Sequence, residues 1–331
     1  MKYPRLLTSS FLISFLFSCL VSLGQNSKRL SNPSFKIIGY YPLQATYKTD
    51  TSGKLNLQIP FEKLTHINLW FINPDSLGNF TQDFSGVSSF VDEAHSKQVK
   101  VLFSIGGGSR HLQYRHLLAT PNRSLLIQKL VSLTLIYQLD GIDVDLEGDD
   151  IDENYEPFIV DLAVALRKHN KLITAAIAIY YKDQLTDKAL AQYDFVNIMS
   201  YDRTGPWSPD KPGPHSTYAH AEEDLSYFGK TRGIAKEKMT LGVPFYGYGY
   251  GEGMTAISMN YSEIQSSFSG SDTKDEWKMP DGRTIYYNGR NTIKRKTKLA
   301  KQKASGIMIW QLPGDATGTN SLLDVIFQTA Y

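Results

Sequence analysis

Asp143, Asp145 and Glu147 alternate with Val144 and Leu146 in the stretch Asp140-Gly141-Ile142-Asp143-Val144-Asp145-Leu146-Glu147-Gly148. Side chains alternate across an extended strand, so the three carboxylates share one face and Ile142, Val144 and Leu146 the other. Neighbours in such a row stand ~6.6 Å apart. At an effective dielectric of 20 two charges at that spacing repel by ~2.5 kcal/mol, roughly two pKa units. The row is therefore expected to hold at least one proton at neutral pH. Glu147, last in the row, is placed to present it. A carboxyl group kept protonated is what cleaving an acetal needs, because the leaving oxygen must be protonated.

Other uses of such a row fit less well. A calcium loop of the EF-hand type needs a glutamate at its twelfth position, where Asn154 stands. A solvated acidic edge has no reason to alternate so regularly with aliphatic residues, and a divalent-metal cluster remains a third reading. The histidines add no metal signature, since His111 and His116 are not at the spacing of a helical zinc pair. No metal and no cofactor is expected.

An acidic strand facing inward needs elements around it. Short apolar, β-branched runs recur at residues 36–41, 66–71, 99–104, 141–146, 172–177, 195–200, 239–244 and 306–310. Between several of them lie helical patterns, such as Phe90, Val91 and Ala94, or Phe158, Leu162, Ala163 and Leu166. Eight strands alternating with helices predict an α/β fold, a (β/α)8 TIM barrel whose site lies at the C-terminal strand ends. Tyr40-Tyr41-Pro42 after the first strand is not the glycine-rich loop of a doubly wound sheet. The longest interval, after the seventh strand, opens on Tyr246-Gly247-Tyr248-Gly249-Tyr250-Gly251 and holds an expected hairpin at Pro280-Asp281-Gly282. It reads as a short insertion between strands 7 and 8 of a single catalytic domain.

The 331 residues carry 35 Lys and Arg against 33 Asp and Glu, a balance that disfavours nucleic acid as a partner. Lys2 and Arg5 precede an apolar stretch from Leu6 to Leu23, and Ser22-Leu23-Gly24 has small residues where a signal peptidase reads. Residues 1–24 are therefore expected to be an export signal, 25–35 a linker and 36–331 the barrel. The expected location is secreted or periplasmic, with no membrane partner after cleavage. An uncleaved membrane anchor is one alternative, and a lipoprotein anchor through Cys19, the one cysteine, is another. With that cysteine removed no disulfide or thiolate chemistry is left. The basic run Lys294, Arg295, Lys296, Lys298, Lys301 and Lys303 lies over a stripe of Ile293, Thr297, Ala300 and Ala304, and reads as the solvated face of a helix.

Asp140-x-x-Asp143-x-Asp145-x-Glu147 resembles the fourth-strand signature of glycoside hydrolase family 18, the chitinase family. Gly39-Tyr40-Tyr41 is similar to that family's first strand, Ser104-Ile105-Gly106-Gly107 to its third, Met199-x-Tyr201-Asp202 to its sixth, and Trp310 to the tryptophan closing its eighth. The resemblance covers residues 36 to 315. It implies retaining hydrolysis of β-1,4 bonds beside N-acetylglucosamine, with the substrate's acetamido oxygen as nucleophile. Glu147 would then be acid and later base. Asp145 would hold the acetamido N–H, and Asp143 would share a proton with Asp145. Tyr201 would donate to the acetamido carbonyl, Asp202 would bind nearby sugar groups, and Trp310 would floor the distorted sugar. By the same resemblance Tyr40 and Ser104 support the aspartates, Met199 lines the substrate site, and Phe71 stands beside a non-proline cis bond.

Gly108 departs from the resemblance, standing where many relatives have tryptophan, and the late insertion looks too short for a deep cleft. A shallow groove suited to internal cuts is the expectation. The expected partner is chitin or an N-acetylglucosamine oligosaccharide, bound by a monomer. Release of N-glycans by an endo-β-N-acetylglucosaminidase is the alternative activity. A non-catalytic chitin-binding lectin is the alternative class, against which the retained Glu147 argues.

Overall fold

Alternation in the eight short runs is realised as the strands of one closed parallel barrel. The computed structural model describes Met1 and residues 35–46, 59–108 and 110–331. The expected export signal, and the linker up to residue 34, lie outside the described residues apart from Met1. Twelve strands follow in chain order: β1 Lys36–Pro42, β2 His66–Trp70, β3 Lys100–Gly106, β4 Gly141–Asp145, β5 Leu172–Ile177, β6 Phe195–Ile198, β7 Met239–Pro244, β8 Tyr246–Tyr250, β9 Ile257–Asn260, β10 Glu276–Lys278, β11 Thr284–Tyr286 and β12 Gly306–Trp310. The barrel runs β1-β12-β7-β6-β5-β4-β3-β2 and closes on itself. Helices α1 Val87–Ser96, α2 Leu112–Leu117, α3 Asn122–Ile136, α4 Tyr155–Arg167, α5 Asp187–Gln192 and α6 Tyr218–Ser226 occupy its crossovers. This is the (β/α)8 fold that the spacing predicts.

The period of two sorts side chains into two layers. Ile142 and Val144 of β4 and Ile173 and Ala175 of β5 face outward into the core shared with the helices. Phe158, Leu162, Ala163 and Leu166 of α4 join the same core. Inside the barrel, Ile38, Tyr40, Ala176, Phe195 and Met308 form a second apolar cluster, which continues into Tyr201, Tyr246, Tyr248 and Tyr250. The acidic row faces inward with this second cluster, where Asp143 meets Tyr40.

The late insertion is more organised than the loop the sequence suggested. Strands β8 to β11 form a four-stranded sheet in the order β10-β11-β8-β9, with the predicted hairpin pairing Trp277 with Ile285. Helix α7, Tyr261–Ser267, starts from a capping box made by Asn260 and Glu263. Helix α8, Arg290–Lys303, and α9, Leu322–Ala330, complete the outer layer.

Helix α8 corrects one expectation. Lys294, Arg295 and Lys298 are exposed, but Lys296 is fully buried. Residues 293, 296, 297 and 300 follow the helical i, i+3, i+4, i+7 spacing, which places Lys296 on the inward stripe. Its ammonium donates to Ser216 O at 2.9 Å, Ser216 Oγ at 2.7 Å and Asn288 Oδ1 at 2.7 Å, so all three protons have acceptors.

Candidate active site

The register of the barrel assembles the acidic row from below. Asp143 is paired across the sheet with Ser104 of β3 on one side and Thr174 of β5 on the other. Both neighbours turn their hydroxyls onto it: Ser104 Oγ donates to Oδ2 at 2.8 Å, and Thr174 Oγ1 donates to Oδ1. The Tyr40 hydroxyl from β1 donates to Oδ2 at 2.5 Å, and Asn197 Nδ2 from β6 donates to Oδ1 at 3.3 Å. Asn197 is oriented in turn by Thr240, whose hydroxyl donates to Asn197 Oδ1 at 2.7 Å. Burial pushes the Asp143 carboxyl above its usual range, and the four donors, Thr174 foremost, pull it back.

Asp145 stands one pleat nearer the mouth and is also buried. Its Oδ1 has no hydrogen-bond partner among the described residues. Burial first, then the charges of Glu147 and Asp143, hold this carboxyl well above the usual range. The structure shows no hydrogen bond between Asp143 and Asp145. Glu147 lies just past β4 on extended backbone, φ −127° and ψ 151°, so the alternation carries it onto the same face. Burial is the main reason its carboxyl titrates high, and Asp202 and Asp150 add to the shift. The Tyr181 hydroxyl opposes it by donating to Oε2.

The turn that ends β3 runs close against β4 and the Phe71 ring. Gly106 and Gly107 have φ of 99° and 103°. A Cβ on Gly106 would lie 2.2 Å from Asp145 O, and one on Gly107 2.4 Å from the Phe71 ring. Only glycine fits that approach. Phe71 stacks on Trp310 with ring centroids 5.7 Å apart, and Trp70 packs on the same indole at 5.3 Å. An aromatic floor therefore faces the carboxylates. The cleft between them, of about 450 Å³, is also lined by Met199, Tyr201 and Asp202 after β6 and by Tyr180, Tyr181 and Trp207.

A cleft at the C-terminal strand ends, with a rising carboxylate row and an aromatic floor, suits a neutral, ring-bearing polymer whose linkage is cleaved by proton transfer. The profile of glycosyl hydrolases family 18 matches residues 36–315. The chain belongs to that family.

Two solved relatives match over nearly the whole fold. One is the chitinase ChiB from the chitin utilization locus of Flavobacterium johnsoniae, 35% identical, with 89% of this chain and 94% of that one covered at a TM-score of 0.79. The other is a chitinase from Bacteroides thetaiotaomicron, 30% identical, with 89% and 96% covered at a TM-score of 0.75. Among curated relatives, the endochitinase of Manduca sexta is 26% identical over 259 residues, covering 66% of this chain and 46% of the relative. The chitinase-like effector of Moniliophthora roreri is 27% identical over 222 residues, covering 58% and 55%. The chain spans about half the length of these two curated relatives.

Of the residues that the family 18 resemblance points to, Glu147, Asp145, Tyr201, Asp202, Trp310, Met199 and Phe71 line the cleft. Asp143, Tyr40 and Ser104 lie beneath it. Tyr40 and Ser104 bond to Asp143 and not to Asp145. The non-proline cis bond among the described residues joins Trp310 to Gln311 and does not adjoin Phe71. Among the described residues the Tyr201 hydroxyl meets only Met308 Sδ, at 3.8 Å, a weak acceptor. Asp202, at φ 61°, turns its carboxylate onto the insertion sheet, where the Tyr246 hydroxyl and, at 3.1 Å, the Tyr248 hydroxyl donate to Oδ1.

Sequence reasoning missed Tyr181, Thr174, Asn197, Tyr246 and Tyr248 as site residues. For the two insertion tyrosines a signal existed. Their period-two spacing in Tyr246-Gly247-Tyr248-Gly249-Tyr250 puts all three rings on one strand face. Thr174 and Asn197 could have been found only with the strand register in hand.

Proposed function

We propose that this chain hydrolyses β-1,4 bonds beside N-acetylglucosamine in chitin or chito-oligosaccharides, with retention and with the substrate's own acetamido group as nucleophile. The observation that carries this reading is the graded row. Asp143 is anchored by four donors, Asp145 is buried with a free Oδ1, and Glu147 opens into the cleft with a raised carboxyl pKa.

Each group then has a step. Protonated Glu147 gives its proton to the glycosidic oxygen as the bond from that oxygen to C1 breaks. The acetamido carbonyl oxygen closes onto C1, forming an oxazolinium whose positive charge lies beside Asp145. Asp145 Oδ1 accepts the acetamido N–H, and the Tyr201 hydroxyl donates to the acetamido oxygen. Glu147, now a carboxylate, takes a proton from water, whose oxygen attacks C1 and restores the acetamide. No second carboxylate nucleophile is required.

The names of the two solved relatives, both chitinases, support the substrate class. The test is mass spectrometry of products from N-acetylglucosamine hexamer and, in parallel, from a high-mannose glycoprotein. Dimer and trimer from the hexamer support the reading. Free N-glycan from the glycoprotein alone transfers the same chemistry to glycan release, and binding without products from either points to a lectin. An early product with the α-anomeric configuration would sink the acetamido mechanism.

A further inference from the structure

We propose that Tyr181 is a positioning residue for the acid–base carboxylate, fixing which oxygen of Glu147 carries the transferable proton. The inference rests on the reading of Glu147 as acid and base.

The two oxygens of Glu147 have different surroundings. Oε2 accepts the Tyr181 hydroxyl. Oε1 faces the turn after β3, where Gly108 presents no side chain; a Cβ there would stand 3.6 Å from Oε1. A protonated carboxyl keeps one oxygen as acceptor and one as donor. Because Oε2 accepts from Tyr181, the donor is Oε1, the oxygen on the Gly108 side of the cleft. When Oε1 gives up its proton to the leaving oxygen, the new carboxylate already has a phenolic donor in place. The bond is neutral-to-neutral before transfer and charge-assisted after it, so it favours proton delivery.

The loop that carries Tyr181 is tied to this duty. It leaves the C-terminal end of β5 as a single helical turn, Ile179–Tyr181. Gln184 Nε2 just beyond donates to Gly148 O at 3.2 Å, pinning the loop to the residue after Glu147. The Tyr181 ring lies half-buried against Tyr180, with centroids 6.2 Å apart. Burial and the neighbouring Glu147 charge push the Tyr181 phenol far up, which keeps it a donor throughout the cycle.

Tyr181→Phe removes one hydroxyl and leaves the ring. Three readouts separate the proposed role from simple packing. On a chito-oligosaccharide, kcat is expected to fall about 10- to 100-fold with KM within a few-fold, the range for losing a hydrogen bond to a charged group. On an aryl chitobioside, whose leaving group needs little protonation, the loss should be much smaller. In a ¹³C titration of the side-chain carboxyls, the Glu147 signal should shift to a higher pKa in the variant. Equal losses on both substrates, or an unmoved Glu147 titration, would overturn the role of Tyr181. If the wild type cleaves neither substrate while Tyr181→Phe still raises the Glu147 titration, the pairing stands and the reading of the chain as a glycosidase fails.

Discussion

The Lys296 ammonium lies 2.7 Å from the Ser216 hydroxyl, which itself donates to Ser200 O at 2.6 Å. Ser200 precedes Tyr201, so a buried cation on an outer helix is connected by two hydrogen bonds to the turn that enters the cleft. Ser200 is held from its other side by donation to Asp224 Oδ2 at 2.7 Å, and Asp224 pairs with Arg203. The β6 turn is thus fastened by Lys296, Asp224 and Arg203, none of which lines the cleft.

Burial lowers the Lys296 pKa to about 7, against the pull of Asp275 and Asp224. The unfolded chain keeps this amine protonated up to about 10.4. Between those values the unfolded state binds more protons, so this group makes stability rise with pH, by about 1.4 kcal/mol per unit. Lys296→Met is expected to remove that slope between pH 7 and 9. Denaturant midpoints of both proteins across that range are the check, and parallel curves would refute the buried titration.

Asp143 is predicted to matter to stability as well as turnover. Asp143→Ala leaves the Tyr40, Ser104, Thr174 and Asn197 donors without their common acceptor and should cost about 3 kcal/mol or more. Ser104→Ala removes one of four donors and should cost about 1 kcal/mol. Urea unfolding would expose an error if the two variants lost the same stability.

The pH profile has a predicted direction. Both Asp145 and Glu147 titrate above the usual carboxylate range, chiefly through burial. Proton delivery needs the acid form, so kcat/KM should hold above the ordinary glutamate pKa of about 4.3 and fall on the alkaline side. The two carboxyls interact, so the inflections belong to the pair. An alkaline limb that already descends near the ordinary glutamate value would contradict the burial argument.

Much of this was legible in the sequence because it is periodic. Alternation of Asp143, Asp145 and Glu147 with aliphatic residues gave the strand and its inward face, and eight spaced apolar runs gave the barrel. Gly106-Gly107 entered only through the family resemblance, and the structure adds why glycine stands there: both φ angles are positive. What stayed hidden depends on register or on distant packing. Thr174 meets Asp143 because β4 and β5 pair at that position, and nothing in either strand alone states it. Tyr181 reaches Glu147 from a single helical turn after β5, 34 residues along the chain, and no periodicity links the two. Lys296 was legible by helical spacing, yet the charge of its neighbours masked it; its three buried acceptors come from Ser216 and Asn288.

The most direct test of the account is the reaction of Glu147→Gln with N-acetylglucosamine hexamer, measured beside the wild type by product mass spectrometry and by calorimetric binding. Gln keeps the shape and the hydrogen bond from Tyr181 but has no proton to deliver. The account predicts dimer and trimer from the wild type, loss of turnover by about a hundredfold or more in the variant, and hexamer affinity within a few-fold. Turnover at the wild-type rate in Glu147→Gln would contradict it.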